Sequence, residues 1–271
     1  MESAGVLMVA SLALVAVFAP MIAPHDPIRA VANSFGDPGA PSRAFPLGTD
    51  QLGRDVLSRI IFGARISLTV GVAAMLVTIV IGVTVGLLSG FFGGAIDFVL
   101  MRFTDVMLTL PALLLAMALV SVLRPSLLSI LIVIGLVSWT GVARVVRAET
   151  LSMAQRDFVL AARALGAPPE RLIVRHVFPN VMPIIVVMAV LGTSGTLLLD
   201  AGLSFLGLGV PPPTPSWGRM IEEATTYFRT APWLAVFPGI AIFYAVLGFN
   251  LLGYGYLRRR NRATSQIPGA V

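Results

Sequence analysis

Cysteine and lysine are both absent from this 271-residue chain, and histidine occurs only as His25 and His176. Without cysteine there is no disulfide, no thiol nucleophile and no thiolate metal site. Without lysine there is no phosphate-loop lysine for ATP or GTP and no Schiff base. Two histidines leave any zinc centre dependent on carboxylates, so no metal site and no catalytic constellation is expected. Charge is scarce too: 12% of residues are charged, against about 25% in soluble domains. What the chain has instead is 57% hydrophobic residues and a mean hydropathy of +0.92. All 19 basic residues are arginine. A pI near 10.9 would suggest nucleic acid in a soluble chain; here the arginines flank apolar runs, which is the positive-inside pattern of a membrane protein.

Six apolar stretches stand out: 5–23, 67–92, 96–123, 126–143, 181–210 and 231–257. Each reaches roughly the 20 residues that cross a hydrocarbon core of about 30 Å. No ten-residue units alternate polar and apolar, which argues against a β-barrel. The expected fold is an all-α membrane protein with six transmembrane helices. The leading segment carries Glu2 and no arginine, and no convincing small-x-small cleavage site follows it, so it reads as a retained helix and not a cleaved signal peptide. Arg144, Arg147, Arg156, Arg163, Arg171 and Arg175 lie between the fourth and fifth stretches, and Arg258, Arg259, Arg260 and Arg262 follow the sixth. With six crossings these fall on one side, the cytoplasm, together with both termini. The chain thus divides into a first helix and extracytoplasmic segment (1–66), a five-helix core (67–258) with a cytoplasmic loop (148–180), and a short tail (259–271).

That loop reads AETLSMAQRDFVLAARALGAPPERLIVRHVFPN. Leu151, Phe158, Ala162 and Leu165 fall at helical spacing. Gly166 ends the helix, because glycine accepts the left-handed cap conformation. Pro168 and Pro169 suit the first turn of a second helix, with Glu170 near its positive end. Such an amphipathic element fits a groove on a soluble partner or lies on lipid headgroups; the pattern leaves both open.

Leu160-Ala161-Ala162, then Gly166, and later His176 and Pro179 resemble the EAA loop of ABC importer permeases. Residues 46–68 (PLGTDQLGRDVLSRIIFGARISL), 97–111 (DFVLMRFTDVMLTLP), LSFLGLG at 203–209 and PTPSWG at 213–218 resemble the C-type permease subunit of dipeptide, oligopeptide and nickel importers. Leu160 departs from the family's glutamate, and Gly253-Tyr254-Gly255-Tyr256 departs from its Gly-Asp-Gly-Leu. The resemblance implies a type I ABC importer permease fold in the bacterial inner or plasma membrane. It implies a B-type permease partner, two cytosolic ATPase subunits holding ATP and magnesium, and an extracytoplasmic substrate-binding protein. Carried onto this chain, the ATPase-docking residues are Asp157, Leu160, Ala161, Ala162, Arg163, Gly166, Ala167, His176 and Pro179. The chain itself is expected to be non-catalytic, with no bound cofactor, and to pass di- and oligopeptides. Nickel, glutathione or another solute is the alternative cargo, and a self-contained ion-coupled carrier the alternative class.

Other residues carry expectations from the pattern alone. Arg102 and Asp105 are three apart on a helix and can pair. Asp97 falls at the membrane interface. Asp200 interrupts an apolar run with no opposite charge nearby, so it faces a partner chain or lines a wet translocation path or gate. Gly82, Gly86 and Gly90, four apart, let helix backbones approach closely. Arg54, Asp55 and Arg59 read as a solvated charge network or as a surface meeting the binding protein. Residues 217–228 form a short helical candidate after a proline-rich stretch.

Overall fold

A computed structural model describes residues 2–32, 36–123 and 126–265, with the side chains of 260–265 excepted. The tail arginines Arg260 and Arg262 and residues 266–271 therefore lie outside the described side chains. Among the described residues the regular structure is helical: α1 (Glu2–Val17), α2 (Ala19–Ile22), α3 (Val56–Phe92), α4 (Gly94–Thr109), α5 (Ala112–Val122), α6 (Leu127–Ala154), α7 (Asp157–Ala164), α8 (Pro169–Leu172), α9 (Phe178–Phe205), α10 (Trp217–Ala224) and α11 (Trp233–Ser265). A π-helical turn, Ile173–Val177, welds α8 to α9.

The six apolar stretches do not give six uniform spans. Four helices among the described residues are long and apolar enough to cross a membrane alone, and a fifth span arises if α4 and α5 count together, although they meet at 90°. The bend follows from Pro111, which disfavours helical backbone at the residue before it; Leu110 is extended at φ −94°, ψ 133°. The first stretch forms only a 16-residue helix and then the four residues of α2, which carries Pro20 in its first turn.

The centre of the bundle is α3 against α6. A Cβ at Gly82 would sit 2.7 Å from Val142 Cβ, at Gly86 2.7 Å from Ala143 O, and at Gly90 2.7 Å from Arg147 O. The glycines at four-residue spacing therefore do what the sequence suggested, letting two backbones touch. Asp55 caps α3, accepting from Ser58 N at 3.0 Å, and Ser216 caps α10, accepting from Arg219 N at 3.3 Å. The 217–228 helix expectation holds, as α10 followed by the 3-10 turn Thr225–Tyr227.

Candidate functional site

The loop after α6 is built differently from the sequence reading. α6 runs on through Leu151 to Ala154, and a break at Gln155 and Arg156 starts α7 afresh. Leu151 thus belongs to another helix than Phe158, and the apolar face shifts. Val159, fully buried, and Ala162 pack inward among Val83, Leu87, Val142, Val146 and Leu172. Phe158 (46% exposed), Leu160 (45%) and Leu165 (89%) point away from the bundle. Val159 was the anchor that the helical-spacing argument missed. It missed Phe91 too, whose ring lies 5.4 Å beneath the Arg163 guanidinium.

Gly166 takes φ +84°. Its N–H donates to Arg163 O at 3.0 Å, and Ala167 N donates to Ala162 O at 3.1 Å. These are the two bonds of the Schellman motif, which needs a residue with positive φ there. Pro169 opens α8, with Glu170 in its first turn, but α8 continues straight into the α9 span and is not a separate loop helix. His176 packs on Phe158 at 6.4 Å between rings. Asp157 is the first residue of α7, and Ala161, Arg163 and Pro179 are exposed while Ala167 is half-buried. The predicted docking residues are thus brought to one end of the bundle, around a short helix whose exposed residues set Phe158, Leu160 and Ala161 beside Asp157 and Arg163.

The carboxylates of α4 pair across helices. Asp105 meets Arg144 at 2.6 Å, and Arg102 instead lies over Phe98 at 5.4 Å; the expected Arg102–Asp105 pair does not form, because long-range geometry offers Asp105 a better-placed guanidinium. Asp97 accepts two bonds from Arg147, each 2.5 Å, and one from Ser89. This fork ties the start of α4 to α6 beside α3.

Asp200 lines no open path. It is 1% exposed, walled by Ser67, Trp217, Gly218 and Ala245 where α9 meets α10, and its Oδ1 has no hydrogen-bond partner among the described residues. An open groove lies elsewhere: about 610 Å³ between α3, α5, α6 and α9, lined by Met75, Thr78, Ser138, Gly141, Gly195 and Leu199 among others, with no ionisable residue among the described ones that line it.

At the opposite end from α7, Arg54 and Arg59 are neither solvated nor displayed. Arg54 Nε meets Asp50 at 2.6 Å and its Nη2 meets Glu223 at 3.1 Å. Arg59 Nη1 meets Glu223 at 2.8 Å and also pairs with Asp50. The four side chains form a closed ring, each 14% exposed or less. Asp55 is fully buried, engaged by Ser58 Oγ at 2.6 Å. Only Asp50 lay near enough in sequence to hint at this; Glu223 is 169 positions from Arg54.

Comparison with known proteins agrees with a helical membrane bundle. Residues 82–265 match the family model of the binding-protein-dependent transport system inner membrane component. The dipeptide transport system permease protein of Alkalihalophilus pseudofirmus is 39% identical over 251 residues, covering 93% of this chain and 82% of that protein. The di/tripeptide transport system permease protein of Pseudomonas aeruginosa is 42% identical over 256 residues, covering 93% and 84%. The glutathione transport system permease protein of Escherichia coli O6:K15:H31 is 41% identical over 259 residues, covering 94% and 84%. The chain therefore belongs to the family of binding-protein-dependent transport system inner membrane components, as a non-catalytic, multi-pass subunit of a peptide-family ABC importer.

Proposed function

We propose that this chain carries di- and oligopeptides through the membrane by alternating access, driven by ATPase subunits that dock on α7. The observation that carries the reading is the two-sided character of that helix. Val159 and Ala162 hold it to the bundle, while Phe158, Leu160 and Leu165 remain exposed. A short helix that exposes apolar Phe158 and Leu160 beside charged Asp157 and Arg163 suits insertion into a groove on a soluble partner. Leu160, where the family has glutamate, adds to the apolar part of that surface and shifts its recognition from charge toward hydrophobic contact.

In this reading α1 with α2, and α4 with α5, complete six spans, and both termini face the cytoplasm. A B-type permease pairs with this chain, and the uncharged groove between α3, α5, α6 and α9 forms its half of the passage. A passage without ionisable walls offers neither sign of side-chain charge a partner, which leaves recognition to a separate binding protein. Closure of the ATPase dimer on nucleotide displaces α7. Because α7 is anchored on residues of α3 and α6, that displacement tilts the helices lining the groove.

The test is purification of the complex and uptake of a labelled dipeptide and of labelled glutathione in cells. Gly166→Val and Arg163→Glu are expected to lose both ATPase copurification and uptake. If both variants keep both, α7 is not the docking element. Names among the relatives favour glutathione as the second cargo reading; glutathione uptake without dipeptide uptake by the native chain would establish it.

A further inference from the structure

Arg65 differs from the arginines described above. It lies on α3 nine positions after Val56, about 14 Å along the helix axis. Its side chain is exposed and has no ion pair or hydrogen bond among the described residues. The position one turn on, Thr69, spends its hydroxyl on Arg65 O at 2.6 Å. Arg65 stands two positions before the apolar stretch 67–92, where a long arginine side chain reaches the headgroup level.

Beside it runs a cleft of about 450 Å³, walled by Val9, Ala13 and Val17 of α1, by Thr69 of α3 and by Phe249 of α11. Ala13 keeps the α1 wall thin. α1 packs on α2, α3 and α11, and the cleft shares no lining residue with the uncharged groove. Among the described residues Arg65 is the only ionisable one lining the cleft, and the remaining walls are apolar apart from the Thr69 hydroxyl.

We propose that this cleft binds one anionic phospholipid, with its phosphate on Arg65 and an acyl chain along the α1–α3 wall. The two-part chemistry selects the occupant. A cation at the mouth matches a phosphate that already resides at headgroup depth, and an elongated apolar trough matches a hydrocarbon chain. An acidic side chain on a neighbouring membrane helix would satisfy Arg65 alone and would leave the trough unexplained.

The test uses the importer purified with its partner subunits in mild detergent, incubated with dioleoylphosphatidylglycerol or dioleoylphosphatidylcholine and read by native mass spectrometry. The native complex is expected to hold one phosphatidylglycerol under activation that strips phosphatidylcholine. Arg65→Gln should lower retention about fivefold, the worth of one arginine at a charged surface, while Arg65→Lys keeps it. Ala13→Phe should also lose retention with the charge intact; should that variant fail to assemble, the Gln and Lys comparison decides. Equal retention by Arg65→Gln and the native complex overturns the proposal. So does displacement of the lipid by excess inorganic phosphate, which would reduce the cleft to a bare anion site. Loss of the partner permease in Arg65→Gln, with no lipid on the native complex, would overturn it in favour of an interchain ion pair.

Discussion

Arg59 Nη1 and Glu223 Oε2 lie 2.8 Å apart, joining the first turn of α3 to the last turn of α10. With Asp50 and Arg54 they close a ring in which each guanidinium bridges both carboxylates. Removing one member strands charge in a buried place, which costs about 3–5 kcal/mol. Glu223→Ala is accordingly expected to lower the thermal midpoint of the purified protein sharply and to cut its yield. Replacing all four by apolar residues of similar volume (Asp50→Leu, Arg54→Met, Arg59→Met, Glu223→Leu) should recover most of the loss, because well-packed apolar substitutes are often no worse than a buried ion pair. A quadruple variant as unstable as Glu223→Ala would show that the charges themselves are needed.

Gly86 and Gly141 test which glycines the chain requires for its own packing. A Cβ at Gly86 would meet Ala143 O and Val146 Cβ at 2.7 Å, whereas one at Gly141 meets nothing within 4 Å. Gly86→Ala should therefore destabilise by about 1–3 kcal/mol through overpacking, and Gly141→Ala should cost nothing in the isolated chain. Thermal unfolding in detergent compares them. A Gly86 variant as stable as native would mean that α3 and α6 can separate at no cost.

The contrast between these glycines and the charges shows what the sequence makes legible. The apolar lengths, the Gly82/86/90 spacing and the Gly166 turn are local patterns, written within one or two helical turns. Partners far apart in the chain are not: Asp105 looked to Arg102, three residues away, while its guanidinium comes from Arg144. The break at Gln155 and Arg156 was hidden because helical periodicity across 148–165 is unbroken in composition. It took the burial of Val159 to show that α7 is turned relative to α6. Arg54 and Arg59 read as solvated because nothing near them in sequence announces Glu223.

Asp97 and Asp105 face the same helix, α6, with unequal stakes. Asp97 receives a two-pronged fork from Arg147 and is 20% exposed, while Asp105 and Arg144 are 46% and 53% exposed. Exposed pairs contribute about 0–1 kcal/mol, whereas charged hydrogen bonds in a less solvated site contribute about 1.5–3 kcal/mol. Asp97→Ala should thus lower the thermal midpoint clearly, and Asp105→Ala should barely move it. The reverse order would mean that lipid or a partner chain shields the Asp105 pair.

Asp200 is the charge whose sequence reading changes most, from path or gate to an enclosed joint between α9 and α10. Its Oδ1 has no partner among the described residues, so the carboxyl makes no protein hydrogen bond there that an amide would forfeit. An ionised group so placed costs free energy unless it is paired. Asp200→Asn keeps the volume and removes the charge, and is expected to leave dipeptide uptake unchanged with stability equal or higher. Asp200→Arg, too large for a pocket walled by Trp217 and Ala245, should prevent accumulation of folded protein. Measured uptake and thermal midpoint of Asp200→Asn decide the matter. A folded, stable Asp200→Asn protein that no longer transports would restore the carboxylate to the transport cycle, in a conformation where the joint has opened.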